Sequence, residues 1–520
     1  MTGDILYPSI FNDVIGPVMR GPSSSHCAAA LRIGRLARDL MGGEITDVDV
    51  LFDPESSLAT THETQGSDMG LFGGLLGWEA TDERLPQSGS AIRKAGIAVR
   101  IKIETLRHKH PNTYHLVLRN RREQHQVTAV STGGGMVRLV DIDSITVDIR
   151  GDFYETLIFT GQVQEIVNFL GKRYFNDCII TTSGGLIRIK AQKSSEAELI
   201  NELTRRFPEA GIRRLSPVLP VLSRRNMQVP FLNAASMIKK KANRIRPLWE
   251  LAVEYESHRG ALSKAKVMSM MTDILKILQE SVRIGLAGTA HADRILGHQS
   301  GNFISAMQNE QLLEAGMLNK MIAYITALME VKSAMGIIVA APTAGACAAL
   351  PGAVIAAAEY KGLGDEAMSR ALLAGGMIGI FITAGATFAA EIGGCQAETG
   401  AAAGMAAAAL TDLAGGSVEQ ALNAASMALQ NSLGMICDPV ANRVEVPCLG
   451  KNVLAAANAL SCANMALAGY DPVIPLDEVI ETMDRVGKSL PRELCCTALG
   501  GLSVTPTSKR LENSLKIQLP

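Results

Sequence analysis

From Ser333 to Gly415 the chain is rich in alanine and glycine. Side chains this small fill a sheet sandwich poorly, but they let helix backbones approach closely. The stretch therefore reads as a compact, buried helical bundle. Glycine inside a helix costs about 1 kcal/mol relative to alanine, so glycines at this density point to backbone that passes near another helix or a bound group. Composition agrees, with aromatics at only 4% of the 520 residues. Ala371 to Ala390 tests a membrane reading, because it runs twenty residues without a formal charge, about enough to span a bilayer. It holds four Gly, two Thr and six Ala, ends at Glu391, and has no Lys/Arg-rich loop to orient it. A buried core helix is the better reading, with no membrane partner.

Lys and Arg number 50 against 51 Asp and Glu, so the bulk field offers no pull toward nucleic acid. The basic connector at 223–245 lacks the interleaved aromatics that single-stranded nucleic acid would need and reads as a solvated linker or dimer surface. The opening MTGDILYPSIFNDVIGP carries acidic residues and no apolar core of signal-peptide length, so no secretory or transit segment is read there. Nine cysteines, an odd number, argue against a disulfide framework and for cytoplasmic thiols that are buried, reactive or metal-bound. A homodimer is the default oligomer for such a chain.

The pattern along the chain is that of an α+β multidomain protein. Residues 1–148 read as mixed α/β, with helices at Ala28 to Met41 and Met69 to Trp78 and strands at Val48 to Phe52, Ile97 to Ile103 and Tyr114 to Leu118. Residues 149–222 give the order βαββαβ of a ferredoxin-like sandwich, similar to ACT-type modules that bind amino acids. Its last strand is placed at Ile212 to Val221. The connector follows at 223–245, and 246–520 reads as all-helical.

Three cysteines stand out: Cys395 in EIGGCQAETG, Cys437 in GMICDPVANR and Cys448 in VEVPCLGKN. Their spacing fits no C-x-x-C pattern, and free cysteine is often just a small buried hydrophobe. Their settings favour metal, because Gly393-Gly394 leaves backbone N–H groups unshielded and the prolines place two thiols at turns. Three thiolates on a 4Fe-4S cluster would leave one iron open as a Lewis acid for a substrate hydroxyl. In GPSSSHCAAA, Ser23, Ser24 and Ser25 stand where they would cap the following helix, whose free N–H groups suit a carboxylate, and His26 offers a base. His110 and Asn112 flank a rigid Pro111. Thr343, Ala344 and Gly345 open another helix. Cys27, Cys178, Cys347 and Cys462 read as packing, and so does the adjacent pair Cys495-Cys496. No lysine has a convincing pyridoxal setting.

Taken together, GPSSSHCAAA, KHPNTY, SAMGIIVAAPTAGACAALPG, EIGGCQAETGAAAGMAAA, ICDPVANRVEVPC and TALGGLSVTPT resemble the signatures of the bacterial iron–sulfur-dependent L-serine dehydratases (L-serine ammonia-lyases), in a single-chain form with an ACT-like module. The resemblance implies elimination of water from L-serine to give pyruvate and ammonia. It implies a 4Fe-4S cluster on Cys395, Cys437 and Cys448 with one iron open to substrate, and no pyridoxal phosphate. It places the substrate at the junction of the N-terminal and helical domains. His26 and His110 would face the cluster, and Ser24, Ser25, Asn112, Thr343, Ala344 and Gly345 would hold carboxylate or amine. The chain departs from the family where TQGSD stands for GHGTD. Gln65 and Asp68 thus take the positions of the motif's catalytic His and Asp, yet Gln cannot exchange a proton near neutral pH. Cys495-Cys496 replaces a charged pair, and Cys27 a threonine. These changes leave open another β-substituted amino acid, or an inactive amino-acid-binding relative.

Overall fold

The computed structural model describes residues 7–108, 110–171 and 178–518. Lys109 of the KHPN segment, residues 1–6 of the opening and the end of the helix read at 163–172 lie outside them.

The N-terminal unit is a six-stranded sheet faced by two helices. Helix α1 (Ala29–Leu40) is followed by β1 (Asp47–Phe52), α2 (Ser67–Leu75), β2 (Ala98–Ile103), β3 (Thr113–Arg119), β4 (Gln124–Gly133), β5 (Met136–Ile142) and β6 (Ile145–Ile149). The sheet order is β2-β1-β3-β4-β5-β6, and only β1 and β2 run parallel. The three strands from Gln124 onward were not read from the sequence, because QHQVTAVS alternates around polar residues and its outer face is open to solvent. Ile33, Leu36 and Leu40 of α1 and Leu71 and Leu75 of α2 pack with Val48, Val50, Leu116 and Leu118 of the sheet. Gly74 of α2 is explained by this packing. A Cβ at Gly74 would lie 2.1 Å from Leu31 O, so the two helices meet backbone to backbone.

The next unit runs β7 (Tyr154–Phe159), α3 (Val163–Gly171), β8 (Ile179–Ser183), β9 (Leu186–Ala191), α4 (Ala197–Arg206) and β10 (Gly211–Leu215). Its antiparallel sheet has the order β10-β7-β9-β8, the split βαβ arrangement. Ile166 and Leu170 of α3 and Leu199 and Leu203 of α4 share one core with Ile158, Ile187 and Ile189, so both helices cover the same face. The last strand is shorter than its sequence reading, because it stops at Leu215, before Pro217 and Pro220.

Beyond the connector the described residues are helical apart from loops and one two-residue strand. Its centre is Asp365–Gly385, packed against Leu248–Gly260, Lys264–Ala287 and Ala401–Leu413. Asp365–Gly385 is long and apolar enough to cross a membrane, but 78% of its apolar window is buried inside the protein, as expected of a core helix.

The first described residues do not join the sheet. Ile10, Phe11, Val14 and Ile15 enter the helical core, and Val18–Met19 pairs antiparallel with Ile338–Val339. Buried Glu256 anchors this segment, accepting from Ser9 Oγ at 2.5 Å and Ile10 N at 2.8 Å. Burial pushes its carboxyl up to about 7, against those same bonds. Glu256→Ala leaves these donors unsatisfied in the interior, and is expected to lower unfolding stability by about 2 kcal/mol, read from the denaturation midpoint.

Candidate active site

Three segments of the helical half deliver thiols to one buried place. Cys395 follows the short helix Ala390–Gly393 through Gly394, whose φ is +67°. A Cβ at Gly394 would meet Met435 O at 2.8 Å and Leu490 Cδ1 at 2.7 Å, so this tight approach, which aims Cys395 inward, admits only glycine. Cys437 is fixed by backbone bonds on both sides: its N–H donates to Leu494 O at 2.8 Å and its carbonyl accepts from Cys496 N at 3.1 Å. Cys448 opens the helix Cys448–Leu467. Ligand atoms of Cys395, Cys437 and Glu398 lie within 4.8 Å of one another, and Cys448 is their electrostatic neighbour. All nine cysteines are buried and none is in a disulfide.

Two residues here escaped the sequence reading. Cys496, read as packing, is in hydrogen-bonding contact with Cys437 and faces Gln65, with Sγ 3.6 Å from Nε2. Its φ of +57° holds it in a turn that nothing in the sequence marks. Asn452 is fully buried. It donates to Gly345 O and Cys448 O, both at 2.8 Å, and accepts from Ala349 N at 3.0 Å. It thereby ties the Thr343–Gly345 loop to the helix that bears Cys448. Only its place four residues after Cys448, one helical turn, signals this in the sequence.

The thiols crowd one another. Contacts with Cys395 and Cys496, together with burial, hold Cys437 well above the ordinary thiol value, and burial raises Cys448. Lys451 stands beside them, donating to Ile436 O at 2.7 Å and Asp438 Oδ1 at 3.0 Å. Burial works against its charge, but the sulfurs and Asp438 raise its pKa overall. Glu398 is pushed up to about 7 by burial, against a hydrogen bond with Thr343.

The N-terminal unit closes the site from the other side. The three serines do not cap the helix, because Ser23 at the N-cap position makes no capping bond. Each addresses a different partner. Ser23 Oγ lies 3.1 Å from His26 Nδ1, Ser24 Oγ accepts from Ala344 N at 3.2 Å, and Ser25 Oγ donates to Glu391 Oε1 at 2.7 Å. The His26 Nε2 lies 2.8 Å from Thr61 Oγ1, which itself donates to Ser57 O at 2.6 Å. The proton is therefore assigned to Nε2. Both ring nitrogens of His26 are thus engaged, and burial holds its pKa below the ordinary value despite the nearby Glu391. It is a neutral, fixed ring.

His110 is only partly buried. Its Nδ1 accepts from Asn112 N at 3.2 Å, and its Nε2 makes no hydrogen bond among the described residues. Burial lowers its pKa, Glu391 pulling the other way. Gln65 is buried and donates to Asn442 Oδ1 at 3.0 Å. Asp68 turns elsewhere, to His62 Nδ1 at 2.9 Å. Burial disfavours the charged His62 ring, but Asp68 outweighs it and the pKa is raised. The structure therefore gathers His26, Gln65, Ser24, Ser25 and Thr343–Gly345 with the cysteines, and pairs Asp68 with His62. The two halves are stitched at this seam. Asn442 donates to Thr60 O at 2.8 Å, Arg443 to Thr64 O at 3.1 Å, and Thr60 Oγ1 to Thr497 O at 3.1 Å.

Comparison with known proteins falls on the helical half. A family model described as serine dehydratase alpha chain matches residues 240–503. The chain is 35% identical over 285 residues to the probable L-serine dehydratase, alpha chain, of Bacillus subtilis (strain 168), covering 55% of this chain and 95% of that protein. It is 35% identical over 266 residues to the L-serine dehydratase, alpha chain, of Peptoniphilus asaccharolyticus, covering 51% and 91%. With the L-serine dehydratase TdcG of Escherichia coli (strain K12) it shares 39% identity over 183 residues, 35% of this chain and 40% of that one.

Proposed function

Because the chain belongs to the serine dehydratase alpha chain family, we propose that it eliminates water from L-serine and releases pyruvate and ammonia. The observation that carries this reading is the convergence of buried, unpaired thiols with loops of the N-terminal unit at one seam. The donor set suits an iron–sulfur group. Thiols crowded this closely resist ionisation together, and a cationic centre relieves that crowding by taking them as thiolates. A 4Fe-4S cluster held by Cys395, Cys437 and Cys448 would supply a Lewis acid for the β-hydroxyl at its fourth iron.

The chain's own residues supply the rest. His110, half-buried and neutral at physiological pH, is the group we assign to the α-proton, since His26 has no nitrogen to spare. His26 holds the serine loop in place. The α-proton of an amino acid is weakly acidic, so fixed orientation and charge stabilisation must provide much of the rate. Ser24 and the Thr343–Gly345 loop, joined by the Ala344 N–H bond, form the wall against which the substrate carboxylate would lie. Gln65 cannot exchange protons and serves as a buried amide that spans Asn442 and Cys496. On this reading 1–148 and 246–520 share the active site. The unit at 149–222 is an ACT-like module, supported by its strand order.

The test is anaerobic purification followed by assay of iron, sulfide and absorbance near ~400 nm, as thiolate-bound clusters give. Keto-acid release is then measured over L-serine, L-threonine and L-cysteine. Iron with fastest turnover of L-serine is expected. A metal-free protein, or a clear preference for another amino acid, would overturn the assignment.

A further inference from the structure

Glu391 is the buried group that the mechanism above leaves unused. Its side chain is 2% exposed. One oxygen, Oε1, accepts from Ser25 Oγ at 2.7 Å and lies 3.5 Å from His26 Nδ1. The other, Oε2, is buried without any hydrogen-bond partner. No lysine or arginine nitrogen pairs with Glu391 among the described residues, and His26 is a neutral ring. A buried carboxylate oxygen with no donor is costly, and interiors rarely leave one so. Glu391 belongs to the short helix that leads into Cys395, so its orphan oxygen stands at the seam and not in remote packing. A complementary orphan is linked to Glu391 through Ser57, Thr61 and His26: Asn112 is fully buried and its Nδ2 has no acceptor. Its Oδ1 is held by Ser57 Oγ at 2.5 Å, and its backbone N–H by His110. One missing donor and one missing acceptor are what an α-amino acid zwitterion supplies.

We propose that Glu391 Oε2 binds the α-ammonium of the substrate, with Asn112 Nδ2 donating to its carboxylate, so that this pair selects α-amino acids over α-hydroxy acids. This rests on the dehydratase reading and deepens it. The seat also orders the chemistry, because holding the amine fixes the α-carbon relative to His110.

The test uses non-reacting ligands on the anaerobically prepared holoenzyme. L-Alanine keeps the ammonium and carboxylate but has no leaving group, and L-lactate replaces the ammonium by a hydroxyl. Wild-type protein is expected to bind L-alanine at least about 30-fold more tightly than L-lactate. Glu391→Gln keeps the size and the Ser25 contact but removes the charge. It is expected to weaken L-alanine about 50-fold, as for a charge-assisted bond lost from a buried site. L-Lactate should bind it more tightly than it binds wild type, and iron content should be unchanged. Equal weakening of both ligands would assign Glu391 a merely structural role and overturn the proposal. If the variant fails to assemble, the wild-type preference alone decides, since equal affinity for the two ligands refutes an ammonium seat. Wild-type protein that turns over L-serine without this preference loses only the present inference. Wild-type protein that releases no pyruvate loses the dehydratase reading itself.

Discussion

Replacing Cys395, Cys437 or Cys448 by serine, one at a time, is expected to abolish pyruvate formation and to strip anaerobically purified protein of most of its iron and sulfide. A hydroxyl is a poor ligand for iron that thiolate holds, and each of the three sulfurs comes from a different segment, so no neighbour takes over. The informative control is Cys496→Ser. Cys496 touches Cys437 and is as buried as the other three, yet an open iron needs it to remain outside the ligand set. The serine variant should keep the iron and the visible absorbance. If it loses iron as fully as Cys437→Ser does, four thiolates close the cluster, and an elimination that depends on a free corner falls with it. Metal analysis and the absorption spectrum read both outcomes without any appeal to turnover.

The second large effect is expected at His110. His110→Gln keeps a polar side chain of similar reach but cannot take a proton, and should lower kcat about 1,000-fold, within the usual range for a lost general base. KM should change little, because the imidazole is not assigned to binding. The pH dependence gives the sharper readout. Burial lowers the His110 pKa below its ordinary value of 6.5, and a base must be neutral. Wild-type kcat/KM should therefore be flat above that value and fall only at lower pH, as the ring becomes protonated. The variant should lose this limb. A wild-type limb centred above 6.5, or an unaltered limb in the variant, would move the base elsewhere, with His62 the next candidate because Asp68 raises its pKa.

Much of this was legible before any coordinates. The alanine- and glycine-rich run became a buried bundle because small side chains permit little else. The three cysteines and two loops lie together, as the family resemblance implied. The missed parts share a physical cause, in that they depend on what faces what across hundreds of residues. The serines look like helix caps in isolation, but Ser23 turns to His26, and Ser24 and Ser25 find partners on other segments. Asp68 looks like a member of the site, but His62, one helical approach away, captures it. The roles of Asn452, Cys496 and Glu391 come from contacts with residues such as Gly345, Gln65 and Ser25, pairings that no local periodicity encodes. The strands after Gln124 were hidden for another reason: a half-solvated strand with polar outer residues carries too weak an alternation to announce itself.

The seam between Thr60–Thr64 and Asn442–Arg443, together with the Val18–Val339 strand pair, has a consequence for supply. Both walls of the reaction chamber are spun from one continuous thread. Tethering of this kind holds partners at about millimolar local concentration, so diluting the protein cannot pull the walls apart. One round of translation delivers them in equal numbers.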